Sequence, residues 1–396
     1  MAPLTFHGAP VRHPFPSMQA RQSVWTPLGG WEGDGEPTPD AAAALVLVFG
    51  SVTALRSPTV SSSIQARWPN ARVVGCSTAG EIAGVRLLDD SLVATALTFE
   101  HTQVRIARAT LVESGGSRGL GEALARALLT EDLAHVLVFS DGLEVNGSAL
   151  VEGLTAVLPS GVGVTGGMAA DGARFGETVV VHDAALVHGG AVAVGFVGRR
   201  LQVGYGSLGG WDPFGAEWEI TRAEGNVLYE LDGRSAIPLY ESYLGDHARD
   251  LPSSGLLFPM ALRRGDDARP VVRTLLALDR EAGTMTFAGD MPMGARARFM
   301  KANFDRLVDG AEGAARTATK SLGGAPATVA LLISCVGRKL VLQQRVEEEL
   351  DGVRDVLGAS PVLAGFYSYG EIAPWATGGA CTLHNQTMTV TTLREA

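Results

Sequence analysis

A chain of 396 residues with 46% hydrophobic and 19% charged positions has enough apolar material for two domains or one large one. Its net charge of −10 argues against nucleic acid and against docking on anionic lipid, because both demand a basic face. Three cysteines (Cys76, Cys335 and Cys381) with no C-x-x-C pair argue against a disulfide framework or structural zinc site and predict reduced thiols.

No apolar run approaches the roughly 20 residues that a spanning helix needs, and the first residues lack a signal-peptide pattern. The expectation is a cytoplasmic protein with no membrane insertion. Residues 1–40, rich in Pro, Gly and polar side chains, predict a poorly ordered N-terminal arm with one short helix near 19–25.

From residue 41 onward strand-like and helix-like patterns alternate. A continuous apolar run at 44–49 predicts a strand buried on both faces, followed by a helix at 57–68. Residues 91–99 and 103–109 predict a pair of strands. A helix at 120–129, a buried strand at 135–139, a helix at 149–157 and strands at 161–165, 178–182 and 190–196 follow. The Gly-rich stretch 204–217 is a natural boundary region, and the division expected is 41–222 and 223–396.

In the second half, short helices are predicted at 226–229 and 236–244, a hairpin at 271–288 and a long helix at 295–320. Then come a strand at 328–335, a helix at 346–357, a strand at 362–367 and a last strand at 381–393. The alternation predicts an α/β fold built of α+β layers.

One motif repeats. Residues 75–82 (GCSTAGEI) and 365–372 (GFYSYGEI) both read G-x-x-x-x-G-E-I and both follow a short apolar strand. A weaker copy at 167–172 (GMAADG) has Ala173 in place of the Glu. Each copy has a buried strand and helix before it and a strand after it. The reading is a pseudo-repeated unit of strand, helix, strand, Gly-rich corner and strand, organised as two related domains.

Such corners expose main-chain N–H groups that can hold an anion or a carboxylate. Cys76, Ser77, Thr78 and Ser368 are small and offer hydrogen bonds, and Glu81 and Glu371 can accept from a ligand amine. An amino acid carries both groups and suits such a corner. The plainer alternative is a structural turn with each Glu bonded to neighbouring backbone. Tyr367 and Tyr369 bring aromatic walls to the last corner. The spacing matches neither a P-loop nor a dinucleotide-binding fingerprint.

Cys335 ends a buried strand near Arg338, so its thiol is either activated by that charge or simply buried and inert. Arg338 can clamp a carboxylate with a bidentate pair. His384, Asn385 and Gln386 form a dense polar run in the last strand, lining a pocket or a half-exposed sheet face, and His384 is the candidate haem ligand.

Together these motifs resemble the FIST family. Residues 75–82 look like the signature of its N-terminal domain. SCVGR at 334–338, GFYSYGEIAP at 365–374 and LHNQT at 383–387 look like those of its C-terminal domain. The resemblance runs from about residue 41 to 393. It implies an intracellular sensory module that binds a small ligand, an amino acid or related metabolite. The module reports to a signalling partner such as a histidine kinase or cyclic-dinucleotide enzyme, is not itself an enzyme, and needs no cofactor. Three alternatives stand beside it: a haem-binding nitric-oxide sensor using His384, a protein-interaction scaffold, and an enzyme with Cys335 as nucleophile and His384 as base. One departure is the Gly- and Pro-filled stretch 29–39, which shortens the helix expected before the first strand and leaves pairing at that sheet edge open.

Overall fold

A computed structural model of the chain describes residues 18–32, 39–265, 269–375 and 378–396. Its centre is a ring of three like units. The first unit runs Leu45–Gly50, helix Pro58–Arg67, Arg72–Ser77, a hairpin of Glu81–Ala83 and Arg86–Leu88, then Leu92–Phe99. The second runs Leu133–Ser140, helix Gly147–Val157, Gly163–Met168, a hairpin of Val180–His182 and Ala185–Val187, then Gly190–Val197. The third runs Val329–Cys335, helix Val346–Leu357, Val362–Ser368, a hairpin of Gly370–Pro374 and Cys381–His384, then Met388–Glu395.

In each unit the first two long strands are parallel, so a helical crossover must join them, and the last strand lies antiparallel to the first. The hairpins do not stay at home. The first unit's hairpin pairs with Val362–Ser368 of the third, the second's with Arg72–Ser77 of the first, and the third's with Gly163–Met168 of the second. Each unit therefore lends a hairpin to a neighbour, and the lending closes a cycle.

The outer edges follow the same rule. Met18–Thr26, Gln103–Thr110 and Leu201–Leu208 pair with the last strands of units one, two and three. Met18–Thr26 corrects the expectation of an arm and of a helix at 19–25. The free edge of Leu92–Phe99 supplies a ladder, and this non-local pairing outweighs local propensity. The rest of the expected arm, 1–17 and 33–38, lies outside the described residues. The strands at 91–99 and 103–109 do not pair with each other: each belongs to a different sheet of the ring.

The repeated glycine is set by close approach of two backbones. A Cβ on Gly75, Gly166 or Gly365 would lie 1.7, 1.9 or 1.8 Å from the carbonyl oxygen of Val48, Val138 or Leu332. The middle copy of the motif therefore starts at Gly166, one residue before the reading from sequence. At the centre of the ring Phe49, Phe139 and Phe366 pack with centroids 4.7–6.1 Å apart. Phe366 occupies the place that Cys76 and Gly167 hold in the other units, so one large ring fills the space two small residues leave.

Residues 212–301 form an inserted body of antiparallel strands with helix Ala236–Leu244 and its own core of Trp218, Ile220, Tyr240, Met285, Phe287 and Phe299. Two expectations change here. Val227–Leu231 is a strand, not a helix. The stretch 295–320 splits into strand Arg296–Lys301, which buries Ala297, Phe299 and Met300, and helix Phe304–Ser321. Asn303 makes the break by accepting the Arg306 N–H as helix cap. A cut at 222/223 falls inside the pairing of Asp212–Glu224 with Val227–Leu231. The third unit's sheet draws strands from 81–88, 201–208 and 329–395, so the ring does not divide into two sequential halves.

Candidate functional site

The two Glu residues of the repeated corner have equivalent partners. Glu81 accepts from the Thr78 hydroxyl and from both the hydroxyl and N–H of Ser91, at 2.7 and 3.3 Å. Glu371 accepts from the Ser368 hydroxyl at 2.8 Å and from the hydroxyl and N–H of Thr387 at 2.9 and 3.1 Å. Each carboxyl ties its corner to the start of its unit's closing strand. Burial pushes Glu81 up to about 7 and Glu371 up to about 8, against the pull of these hydrogen bonds. Both carboxyls bond within the protein, as the structural-turn alternative expects of them.

Several other predicted site residues are buried or bonded within the protein as well. The Ser77 hydroxyl accepts from the Val179 N–H at 3.0 Å. Cys76 and Cys335 are buried, and burial raises both thiols, with the Glu371 charge adding to the effect on Cys335. That is the opposite of an activated nucleophile. Arg338 is fully buried. It donates from Nε and Nη2 to Glu349 Oε2 at 3.1 and 2.6 Å, and to the carbonyls of Gly209 and Leu307. Tyr367 and Ser334 also donate to Glu349. Arg338 is thus no external clamp, and Glu349, which carries this cluster, was not singled out from the sequence.

Tyr369 donates to Asp171, which also accepts the N–H groups of Phe175, Gly176 and Glu177 at 2.9 Å each. Its ring stacks on Phe175 at 4.5 Å. His384 is 1% exposed, its Nε2 lies 2.8 Å from the Ala373 carbonyl and its ring stands edge-on to Trp375. Burial pushes His384 down to about 4, so it stays neutral. A sealed imidazole with Nε2 already engaged does not fit an axial haem ligand. Among the described residues no group of three or more His, Cys, Asp or Glu is placed to hold a metal.

The polar run does leave unmet groups. His384 Nδ1, Asn385 Oδ1 and Gln386 Oε1 are buried without a protein partner among the described residues, as is Thr274 Oγ1 of the insert. They lie along the seam where the ring meets the insert: Gln386 Nε2 donates to the Leu256 carbonyl, and Arg273, next to Thr274, donates to the Leu383 carbonyl.

Three cavities lie along this seam. The first, about 370 Å³, is lined by Ser148 and Glu152 of the second unit, Thr382 and Leu383 of the third unit's lent hairpin, and Arg273 and Asp290 of the insert. The second, about 80 Å³, lies beside Asn146, Tyr369 and Gly289. The third, about 460 Å³, is mostly apolar, with Leu256, Leu275 and Leu340, and shares Phe175 and Leu276 with the second.

Arg273 dominates the first chamber. It is 4% exposed and pairs with no carboxylate among the described residues. Nε donates to the Asp290 carbonyl and Nη1 to those of Val272 and Leu383, at 3.0–3.2 Å. Nη2 has no protein partner among the described residues. A buried guanidinium held by backbone carbonyls, with an amino group to spare, can donate to a further acceptor. The sequence carried a signal for it: an arginine inside the run Val271-Val272-Arg273-Thr274-Leu275 is a charge in a buried strand pattern.

Family models match the chain as a FIST N domain over residues 44–234 and a FIST C domain over 236–374. An uncharacterized protein of Mycobacterium tuberculosis is 28% identical over 361 residues, covering 87% of this chain and 89% of that one. An uncharacterized protein of Mycobacterium bovis is 26% identical over 385 residues, covering 93% and 94%. A crystal structure of cyanuric acid hydrolase from A. caulinodans superposes with a TM-score of 0.35 at 9% identity, over 95% of this chain and 99% of that one.

Proposed function

The chain belongs to the FIST family, whose domains are associated with sensing in signal transduction, and on that premise we propose that it is a ligand-binding sensor whose ligand occupies the cleft between ring and insert. The observation that carries this reading is Arg273, a buried cation with donors to spare at the wall of a half-open chamber. The chamber is near the low end of the roughly 300–1,000 Å³ common for small-molecule sites. An amino acid or related metabolite is of suitable size. Its carboxylate would meet Arg273.

The route from ligand to output is mechanical. Arg273 bonds both the insert and, through the Leu383 carbonyl, the hairpin that the third unit lends to the second. A ligand that draws on Arg273 favours one arrangement of insert against ring, and a partner that distinguishes the arrangements reads the difference. On this proposal the chain performs no chemistry of its own, and a histidine kinase or cyclic-dinucleotide enzyme is the class of partner that fits.

The test is thermal unfolding of the full chain against a panel of amino acids and central metabolites. A ligand at 100 times its Kd adds about 2.7 kcal/mol. Thr382→Trp, which fills the first chamber, should abolish the response. A panel with no stabilising member, or a response that survives Thr382→Trp, overturns the reading.

A further inference from the structure

The chemistry of the first chamber goes further than its size. Besides Arg273, it is lined by Arg264 and Arg269, both exposed, and neither forms an ion pair among the described residues. Two acids also line it, and both have partners. Glu152 lies 3.3 Å from Arg118, and Asp290 Oδ1 accepts from the Asn146 amide at 2.9 Å. Of the five charged groups at the wall, the three cations are in no ion pair among the described residues.

We propose that this chamber takes a small dianion, a dicarboxylate or a phosphate monoester, with one acidic group on Arg273 and the other held by Arg264 and Arg269 at the mouth. The proposal rests on the cleft being the ligand site and names the ligand's chemical class. A net-neutral amino acid satisfies Arg273 but brings no second anionic group to Arg264 and Arg269. The electrostatics point the same way. Burial and the like charge of Arg264 push Arg273 down to about 10, with only Asp290 opposing. A dianion supplies the missing counter-charge, and because backbone carbonyls already fix Arg273, little ordering is lost on binding. Ser148 adds a hydroxyl that accepts the Asp290 N–H and can donate to a remaining oxygen.

The experiment is isothermal titration of the full chain with succinate and glycerol phosphate as dianions, and with alanine and glutamine as net-neutral probes. The variant is the double substitution Arg264→Gln with Arg269→Gln, at exposed positions where the fold is not at stake. The expected result is binding of at least one dianion, weakened about tenfold or more in the double variant and by added salt, with an unchanged unfolding midpoint. Succinate against glycerol phosphate separates the two sources of charge. The proposal is overturned if neither dianion binds the wild type, or if both bind the double variant equally well. If alanine or glutamine binds instead, and Thr382→Trp abolishes that binding, the cleft remains the sensor's site and only the dianion assignment falls. If no probe binds and Thr382→Trp changes no response to the wider metabolite panel, both fall.

Discussion

Arg338 and Glu349 meet as a fully buried pair, with Arg338 Nη2 2.6 Å from Glu349 Oε2 and neither side chain reached by solvent. The pair joins the residues after strand Val329–Cys335 to helix Val346–Leu357, and the same guanidinium reaches the Gly209 and Leu307 carbonyls where chain enters and leaves the insert. Breaking such a pair strands an uncompensated charge. Arg338→Ala is expected to cost about 3–5 kcal/mol in urea unfolding. A loss below about 1 kcal/mol would contradict the burial of the pair.

The corner carboxyls make stability depend on pH with a definite sign. Burial raises Glu371 from 4.5 to about 8 and Glu81 from 4.5 to about 7. The folded state therefore holds these protons more tightly than the unfolded chain. Their contribution is fully present below about pH 4.5 and is lost as pH rises through 7 and 8. Glu371→Gln, which cannot ionise, should flatten the decline between pH 5 and 8 by up to a few kcal/mol. Parallel curves for variant and wild type across that window would refute the assignment.

Close backbone approach predicts a steep contrast between glycines. At Gly365 a Cβ meets the Leu332 carbonyl oxygen at 1.8 Å, whereas at Gly84, with φ +64°, it meets nothing within 4 Å. Gly365→Ala should cost about 3 kcal/mol or more, or prevent soluble expression. Gly84→Ala should cost only about 1–2 kcal/mol, the left-handed backbone term. Equal effects in chemical denaturation would remove the close-approach explanation.

Strand Met18–Thr26 covers the edge of Leu92–Phe99 through eight residue pairs. Deleting residues 1–26 bares that edge, and an uncovered edge pairs with other chains. The truncated protein is expected to run as aggregates in size-exclusion chromatography and to lose its cooperative thermal transition. A monodisperse, cooperatively folding truncation would show that the strand is dispensable.

The sequence by itself determined the repeated unit, the alternation of strands and helices, and the family, because these rest on local matters: apolar periodicity, Gly-rich corners and short motifs. It also marked the polar run at 383–387, whose buried, unpartnered atoms the structure places on the seam. Only the tertiary structure decided which sheet each hairpin joins, since the spacing of a G-x-x-x-x-G-E-I corner is the same whether its hairpin stays in its own unit or crosses to the next. It likewise decided where the polar groups spend their hydrogen bonds. Glu371 is answered by Thr387 and Arg338 by Glu349 from within, while Arg273, in a segment that carried no motif, is left with donors facing a chamber. A side chain's type limits the bonds it can make. Whether protein or ligand fills them depends on contacts between residues far apart in the chain, such as Arg273 with Leu383, which no local pattern encodes.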